Sequence, residues 1–229
     1  DIRGKLQHVT VDVDLVDEDF LEEGFMFDGS SIAGWKSIEN SDMKLIVDTD
    51  SAYIDPFYAE KTLCVHCSIV EPDTGEAYER DPRGTAQKAE AYLKESGIGD
   101  VAYMGPEAEF FIFDDVRFEN KINKVSYEVD AVDASWNTDT EYEMGNSGHR
   151  PGLKGGYFPV NPIDDAQDLR SEMLSTMKSL GMKVDKHHHE VASCQHELGL
   201  IFGTVTKQAD EIQKYKYVIH NVAHAYGKS

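Results

Sequence analysis

The chain has 229 residues, 40% hydrophobic and 28% charged, enough for one large or two ordinary domains with real cores. With 43 acidic against 22 basic residues, the formal charge of −21 argues against nucleic acid or an anionic membrane as partner; it suits cations, although most of it reads as a solvated acidic surface. No apolar run approaches the ~20 residues needed to cross a bilayer, the amino end shows no charged-then-apolar leader, and three cysteines are too few for a disulfide framework, so a cytoplasmic setting is expected.

Residues 1 to 76 read mostly as short strands and turns. HVTVDVDLV alternates, DMKLIVDTD and TLCVHCSIV are strand-like, and DGSS, DPF and PDTG supply turn chemistry. DEDFLEEG, residues 17–24, reads as a helical turn or two stopped by Gly24. Cys64 and Cys67 form a CxxC, but three positions apart on a strand they face opposite sides, which speaks against a redox or zinc role.

A change comes at Asp81-Pro82-Arg83. Ala86, Ala89 and Leu93 then fall at helical spacing, and Gly97 is placed to end the helix. A strand over 101–113 follows, in which Glu107, Glu109, Phe111 and Phe113 would share one face. The stretch 117–163, rich in Gly, Asn, Asp and Pro, reads as long loops with short strands, a length that is usually functional. A helix is expected next, capped by Asp164 or Asp165, with Leu169, Met173, Met177 and Leu180 as its stripe and Gly181 as its stop. MKVDKHHHEVA and HELGLIFGTV read as strands joined by a turn at Ser193-Cys194-Gln195. The last helix, about 206–226, presents Ile212, Tyr215, Ile219, Val222 and Tyr226 on one face. The result is a small mostly-β module, then an α+β module. Both ends look cut, and the chain is expected to be part of a longer one.

Two carboxylates side by side on a core strand repel, and burying either is costly. Glu107 and Glu109 have company in Glu190 of HHHEV and Glu197 of QHELG, which a hairpin near 193–195 could bring together. Converging carboxylates select hard cations such as Mg²⁺ or Mn²⁺, and such an ion would cancel the repulsion. Each piece alone has a plainer reading: an exposed strand face for ExE, and a common turn for DGSS. Of the histidine triplet, only His187 and His189 alternate onto one face, so only they could chelate together.

The segments FMFDGSSIAGW, GPEAEFFIFDD, GNSGHRPGLKGGYFP, HHHEVASCQHE and ADEIQKYKYVIHNVAHAYGK, in this order, resemble glutamine synthetase of the bacterial class I type. The resemblance covers essentially the whole chain. It implies an α+β fold: a β-grasp domain at 1–76, then the start of a catalytic domain at 82–229, in a subunit about twice this length. It further implies a ligase that uses ATP to phosphorylate L-glutamate and then lets ammonia displace the phosphate. By the same resemblance, Glu109, Glu190 and Glu197 would hold one divalent ion. Glu107 would hold a second, with a histidine and a glutamate from beyond residue 229. Asp28 would bind ammonium and take its proton, with Ser31 and Tyr157 near that pocket, while Asp185 and Phe202 would lie by ATP. The family's subunits form a homo-oligomeric ring, a dodecamer in this class, with Asp28 acting on a neighbour's site.

Two departures stand out. Glu190 and Glu197 are seven residues apart, one fewer than in many relatives, which carry a glycine in the turn; the turn is expected to absorb the change of parity. The later half of the family pattern, with its arginines, flap and adenylylation tyrosine, is missing, so a chain of this extent is not expected to turn over alone. A γ-glutamyl–amine ligase of the same family and a non-catalytic relative are the alternatives. Asp28, Ser31 and Tyr157 favour ammonia over a larger amine, and the full set of four glutamates speaks against a dead site.

Overall fold

A computed structural model of the chain describes residues 1–136, 140–143, 145 and 148–229. Asn146 and Ser147 of the GNSGHRPG motif lie outside the described residues. The chain divides into two compact units, Asp1–Met104 with Phe202–Gln213 and Gly105–Ile201 with Lys214–Ser229.

In the first unit, helix α1 (Glu18–Glu23) is capped by Asp17, whose carboxylate accepts the Phe20 N–H at 2.8 Å. Gly24 then leaves the helix at φ +79°, and a Cβ there would sit 2.2 Å from the Leu45 carbonyl oxygen, so only glycine fits. Strands β1 (Phe25–Asp28), β2 (Asp42–Ile54) and β3 (Leu63–Val70) form an antiparallel sheet in that order. Trp35, Met43, Ile69 and Tyr78 make its core, with Phe27, Ile32 and Leu45 packed around them. The HVTVDVDLV segment is not a strand. Its only regular piece is a single turn at Val13–Leu15, where Asp12 accepts the Asp14 N–H at 3.1 Å. An alternating pattern makes a strand only with a partner for its ladder, and none of the three strands takes this segment up.

Helix α2 (Pro82–Glu95) starts on Pro82, with Asp81 accepting the Arg83 and Gly84 N–H groups at 3.1 Å each. Cys64 and Cys67 are both half-buried on β3, and burial raises both thiols, which disfavours the reactive thiolate.

The expected single strand at 101–113 is two. Strand β4 (Tyr103–Met104) belongs to the first unit and pairs with a later strand there, while β5 (Glu109–Phe111) belongs to the second. Gly105-Pro106 separates them, and proline has no N–H to offer a ladder. Glu107 is therefore not a strand residue, and its face is not set by alternation with Glu109.

The expected loops after 117 begin with a regular hairpin, β6 (Asp115–Lys121) and β7 (Lys124–Asp130), closed across a two-residue Ile122-Asn123 turn. Helix α3 (Gln167–Ser179) buries Leu169, Met173 and Met177, and Gly181 follows it at φ +77°. Ala166 stands at its N-cap with no side-chain bond, in place of the expected aspartate. Asp164 is drawn away by Arg170, whose Nη1 donates to it at 2.9 Å in the interior.

Strands β8 (Val184–His189) and β9 (Gln195–Leu200) complete a second antiparallel sheet in the order β5-β9-β8. Strand β10 (Gly203–Thr204) pairs with β4 in the first unit, and helix α4 (Val205–Ala225) follows. In the second unit, Tyr215 of α4 is buried; its hydroxyl donates to the Ala108 carbonyl at 2.7 Å and accepts the Leu198 N–H at 3.2 Å. That bond fixes the approach to β5 against β9. No helix among the described residues is long and apolar enough to cross a membrane.

Candidate metal centre

The middle strand of the second sheet, β9, places Glu197 directly opposite Glu109 of β5 and His188 of β8. Residues directly opposite on antiparallel strands share a face, so these three side chains form a row across the sheet. Glu190 follows just after β8. The His188 ring lies between two carboxylates, with Nε2 3.3 Å from Glu197 Oε2 and Nδ1 3.5 Å from Glu190 Oε1. One donor atom from each of His188, Glu190 and Glu197 lies within 4.8 Å of the others, close enough to share one cation. Glu109 stands at the open end of the row, where its carboxylate accepts from the Gln195 amide. Burial pushes the Glu197 carboxyl up, and the Glu190 and Glu107 charges add to the rise against His188 and Lys186. Two carboxylates and an imidazole, with excess negative charge on a partly buried group, are a fitting donor set for a divalent cation.

The turn that returns Glu197 to Glu190 does absorb the parity. Cys194 adopts φ +64°, a left-handed conformation unusual outside glycine, and Asp133 holds it there. One Asp133 oxygen accepts the Cys194 backbone N–H at 3.1 Å and the other its thiol at 3.0 Å. At the other end of the turn, His189 Nε2 lies 2.8 Å from Asp133 and Nδ1 lies 2.7 Å from the Glu190 carbonyl. Both partners only accept, so both ring nitrogens carry protons. Burial opposes that charge on His189, but the Asp133 hydrogen bond and charge, together with the Glu190 and Gly156 backbone, outweigh it and raise the pKa.

His187 and His189 do not chelate together. His187 is held by Arg170 at 3.3 Å and Ser171 at 3.0 Å, and His189 by Asp133. The histidine that joins the carboxylates is His188, which the triplet alone could not single out; its parity with Glu190 was the available signal. Sequence reasoning does not single out Arg170 or His196, and takes Asp164 only as a candidate helix cap. Burial, then the Arg170 charge, depresses His196 to about 3, so it is neutral.

Tyr157 stacks on Phe158 at 4.0 Å, and both rings stand edge-on to His188, at 5.7 and 4.7 Å. Gly156 lets this segment approach, because a Cβ there would lie 2.5 Å from the Glu190 carbonyl oxygen. Asp185 lies on β8 with its carboxylate over Gly199, where a Cβ would come within 2.1 Å of it. Phe202 belongs to the first unit and packs edge-on to Tyr103 at 5.5 Å. Asp28 and Ser31 also belong to the first unit, exposed at the end of β1. Asp28 accepts from the Ser30 hydroxyl at 2.6 Å, the Ser30 N–H at 2.8 Å and the Ser31 hydroxyl at 3.1 Å. These bonds, led by the Ser30 hydroxyl, hold its carboxyl below the usual range.

Two family models match the chain end to end: the glutamine synthetase beta-Grasp domain over residues 1–72 and the glutamine synthetase catalytic domain over 79–229. Among curated relatives, the glutamine synthetases of Cereibacter sphaeroides and Rhodobacter capsulatus are each 78% identical over all 229 residues, which span 49% and 52% of their lengths. The chain thus spans about half the length of the curated relatives it matches. Among solved structures, Plasmodium falciparum glutamine synthetase superposes with a TM-score of 0.86 at 27% identity, over 95% of this chain and 42% of that one. The β-grasp module and the α+β module that carries the glutamate row are therefore parts of one known architecture, and the chain belongs to the glutamine synthetase family.

Proposed function

We propose that this chain supplies the β-grasp domain, residues 1–76, and the first part of the catalytic domain, residues 82–229, to a cytoplasmic ligase. That enzyme makes L-glutamine from L-glutamate and ammonia by way of a γ-glutamyl phosphate formed with ATP. The observation that carries the reading is the row Glu109–Glu197–His188 with Glu190 beside it, in a chain that two glutamine synthetase domain models match.

A divalent ion, when bound there, would supply charge neutralisation between two anionic substrates, ATP and glutamate, during phosphoryl transfer. Glu109, Glu190 and Glu197 would hold one Mg²⁺ or Mn²⁺, and Glu107 would contribute to a second. Asp28 attracts ammonium and accepts its proton, which releases the nucleophile. Its lowered pKa keeps it anionic at neutral pH, and Ser31, which donates to it, fixes the carboxylate's orientation. Tyr157, edge-on to His188, borders the ammonium pocket. Asp185 and Phe202 lie along the ATP site. The subunits assemble into a homo-oligomeric ring, a dodecamer, and the 229-residue chain has no turnover of its own.

The complete enzyme should release phosphate from ATP and glutamate rapidly only when ammonium is present. Equal release without ammonium would sink the ammonia assignment. Asp28→Asn should slow glutamine formation and leave ATP affinity near wild type; a defect confined to nucleotide affinity would contradict its role.

A further inference from the structure

Strand neighbours point to opposite faces, so His187 and His196, each one step from a member of the donor row, face the other side of the sheet. There they meet Arg170 of α3, which is 1% exposed. Its Nε donates to His187 Nδ1 at 3.3 Å, and its Nη1 lies 3.0 Å from His196 Nδ1. Its Nη1 and Nη2 also hold the Asp164 carboxylate, at 2.9 and 2.5 Å. A guanidinium can only donate, so both Nδ1 atoms accept, and His187 Nε2 keeps the proton it directs at Ser171 Oγ, 3.0 Å away. One planar fork therefore engages β8 and β9 at once, with its own charge matched by Asp164.

We propose that Arg170 is a positioning residue for the metal centre: by bonding His187 and His196 together it pins β8 to β9 from behind and sets the spacing of His188, Glu190 and Glu197 in front. The inference rests on that cluster holding a divalent cation. A residue that orients ligands from behind in this way acts on metal affinity, whereas a purely structural ion pair acts on stability alone. Lysine could keep the charge opposite Asp164, but its single nitrogen cannot reach both imidazoles as well.

The test is Mn²⁺ affinity of the complete enzyme, measured by electron paramagnetic resonance on protein freed of metal. Arg170→Lys should weaken binding about tenfold or more, with turnover largely restored at saturating Mn²⁺. His196→Asn, whose side-chain oxygen can accept the same bond, should keep near-wild-type affinity, and His196→Leu should lose as much as Arg170→Lys. If Arg170→Lys does not fold, the two His196 variants decide the matter. Folded Arg170→Lys or His196→Leu protein with wild-type Mn²⁺ affinity overturns the proposal. Glu197→Gln separates the two layers. If it loses Mn²⁺ while Arg170→Lys does not, the positioning role alone fails; if it binds Mn²⁺ like wild type, the metal reading fails with it.

Discussion

Gly156 shows how little room the site leaves at its edge. An added methyl would press on the Glu190 carbonyl and the His189 ring at 2.5–2.9 Å, and neither can yield without moving a donor. Gly156→Ala should therefore destabilise the fold by about 1–3 kcal/mol, as overpacking does. Denaturant unfolding checks the size, and an unchanged midpoint would mean the segment shifts freely. Asp164 gives a pH signature. Burial alone would raise its carboxyl, but the Arg170 hydrogen bonds and charge, joined by the Ala166 N–H and His189, outweigh that and hold it below its ordinary value. A carboxyl depressed in the folded state adds stability that is fully present above the unfolded value of about 3.9 and lost as pH falls through the folded one. Asp164→Asn should accordingly flatten the acid side of a Tm–pH profile below about pH 4. An acid limb as steep as wild type would show that other carboxylates carry it.

The elements were unevenly legible, for reasons that particular residues make clear. Helix α3 was read from Leu169, Met173, Met177 and Gly181 because its signals are local; its start was misplaced because Arg170, a turn further on, claims Asp164. The strand at 101–113 was read as one because apolar runs do not reveal which partner each half pairs with. Glu190 and Glu197 were picked out by sequence and do stand together, but His188 was not. His187 and His189 are committed elsewhere by Arg170 and Asp133, residues distant in the chain and invisible to periodicity. In the first unit, Arg83 joins three elements, binding Asp48 of β2, Ser68 of β3 at 2.8 Å and Asp210 of α4 at 3.0 Å. Arg83→Ala should cost roughly 2–4 kcal/mol, since it strands part-buried acceptors. A loss under 1 kcal/mol on denaturation would show the network to be surface-like.

For the molecule as a whole, a net charge of −21 means that self-repulsion works against the compact state. Raising NaCl from about 10 to 150 mM, where the Debye length shrinks to about 8 Å, should raise Tm. A fall would show that exposed ion pairs outweigh the repulsion. Mn²⁺ should raise Tm beyond any ionic-strength control, because a ligand bound only to the native state stabilises it by mass action, and Glu197→Gln should abolish that excess. Equal shifts in both proteins would assign the effect to general screening.

The Cys194 thiol offers a use of its own. It is fully buried, and burial with the Asp133 charge pushes its pKa far up, so it is inert to alkylation while the turn stays closed. Any modification must wait for the segment between Glu190 and Glu197 to open, which makes this sulfur a native clock for local unfolding at the site. Timed iodoacetamide labelling, read peptide by peptide by mass spectrometry, would give that opening rate without adding a probe. Cys64 and Cys67, half-buried in the other unit, supply the internal comparison.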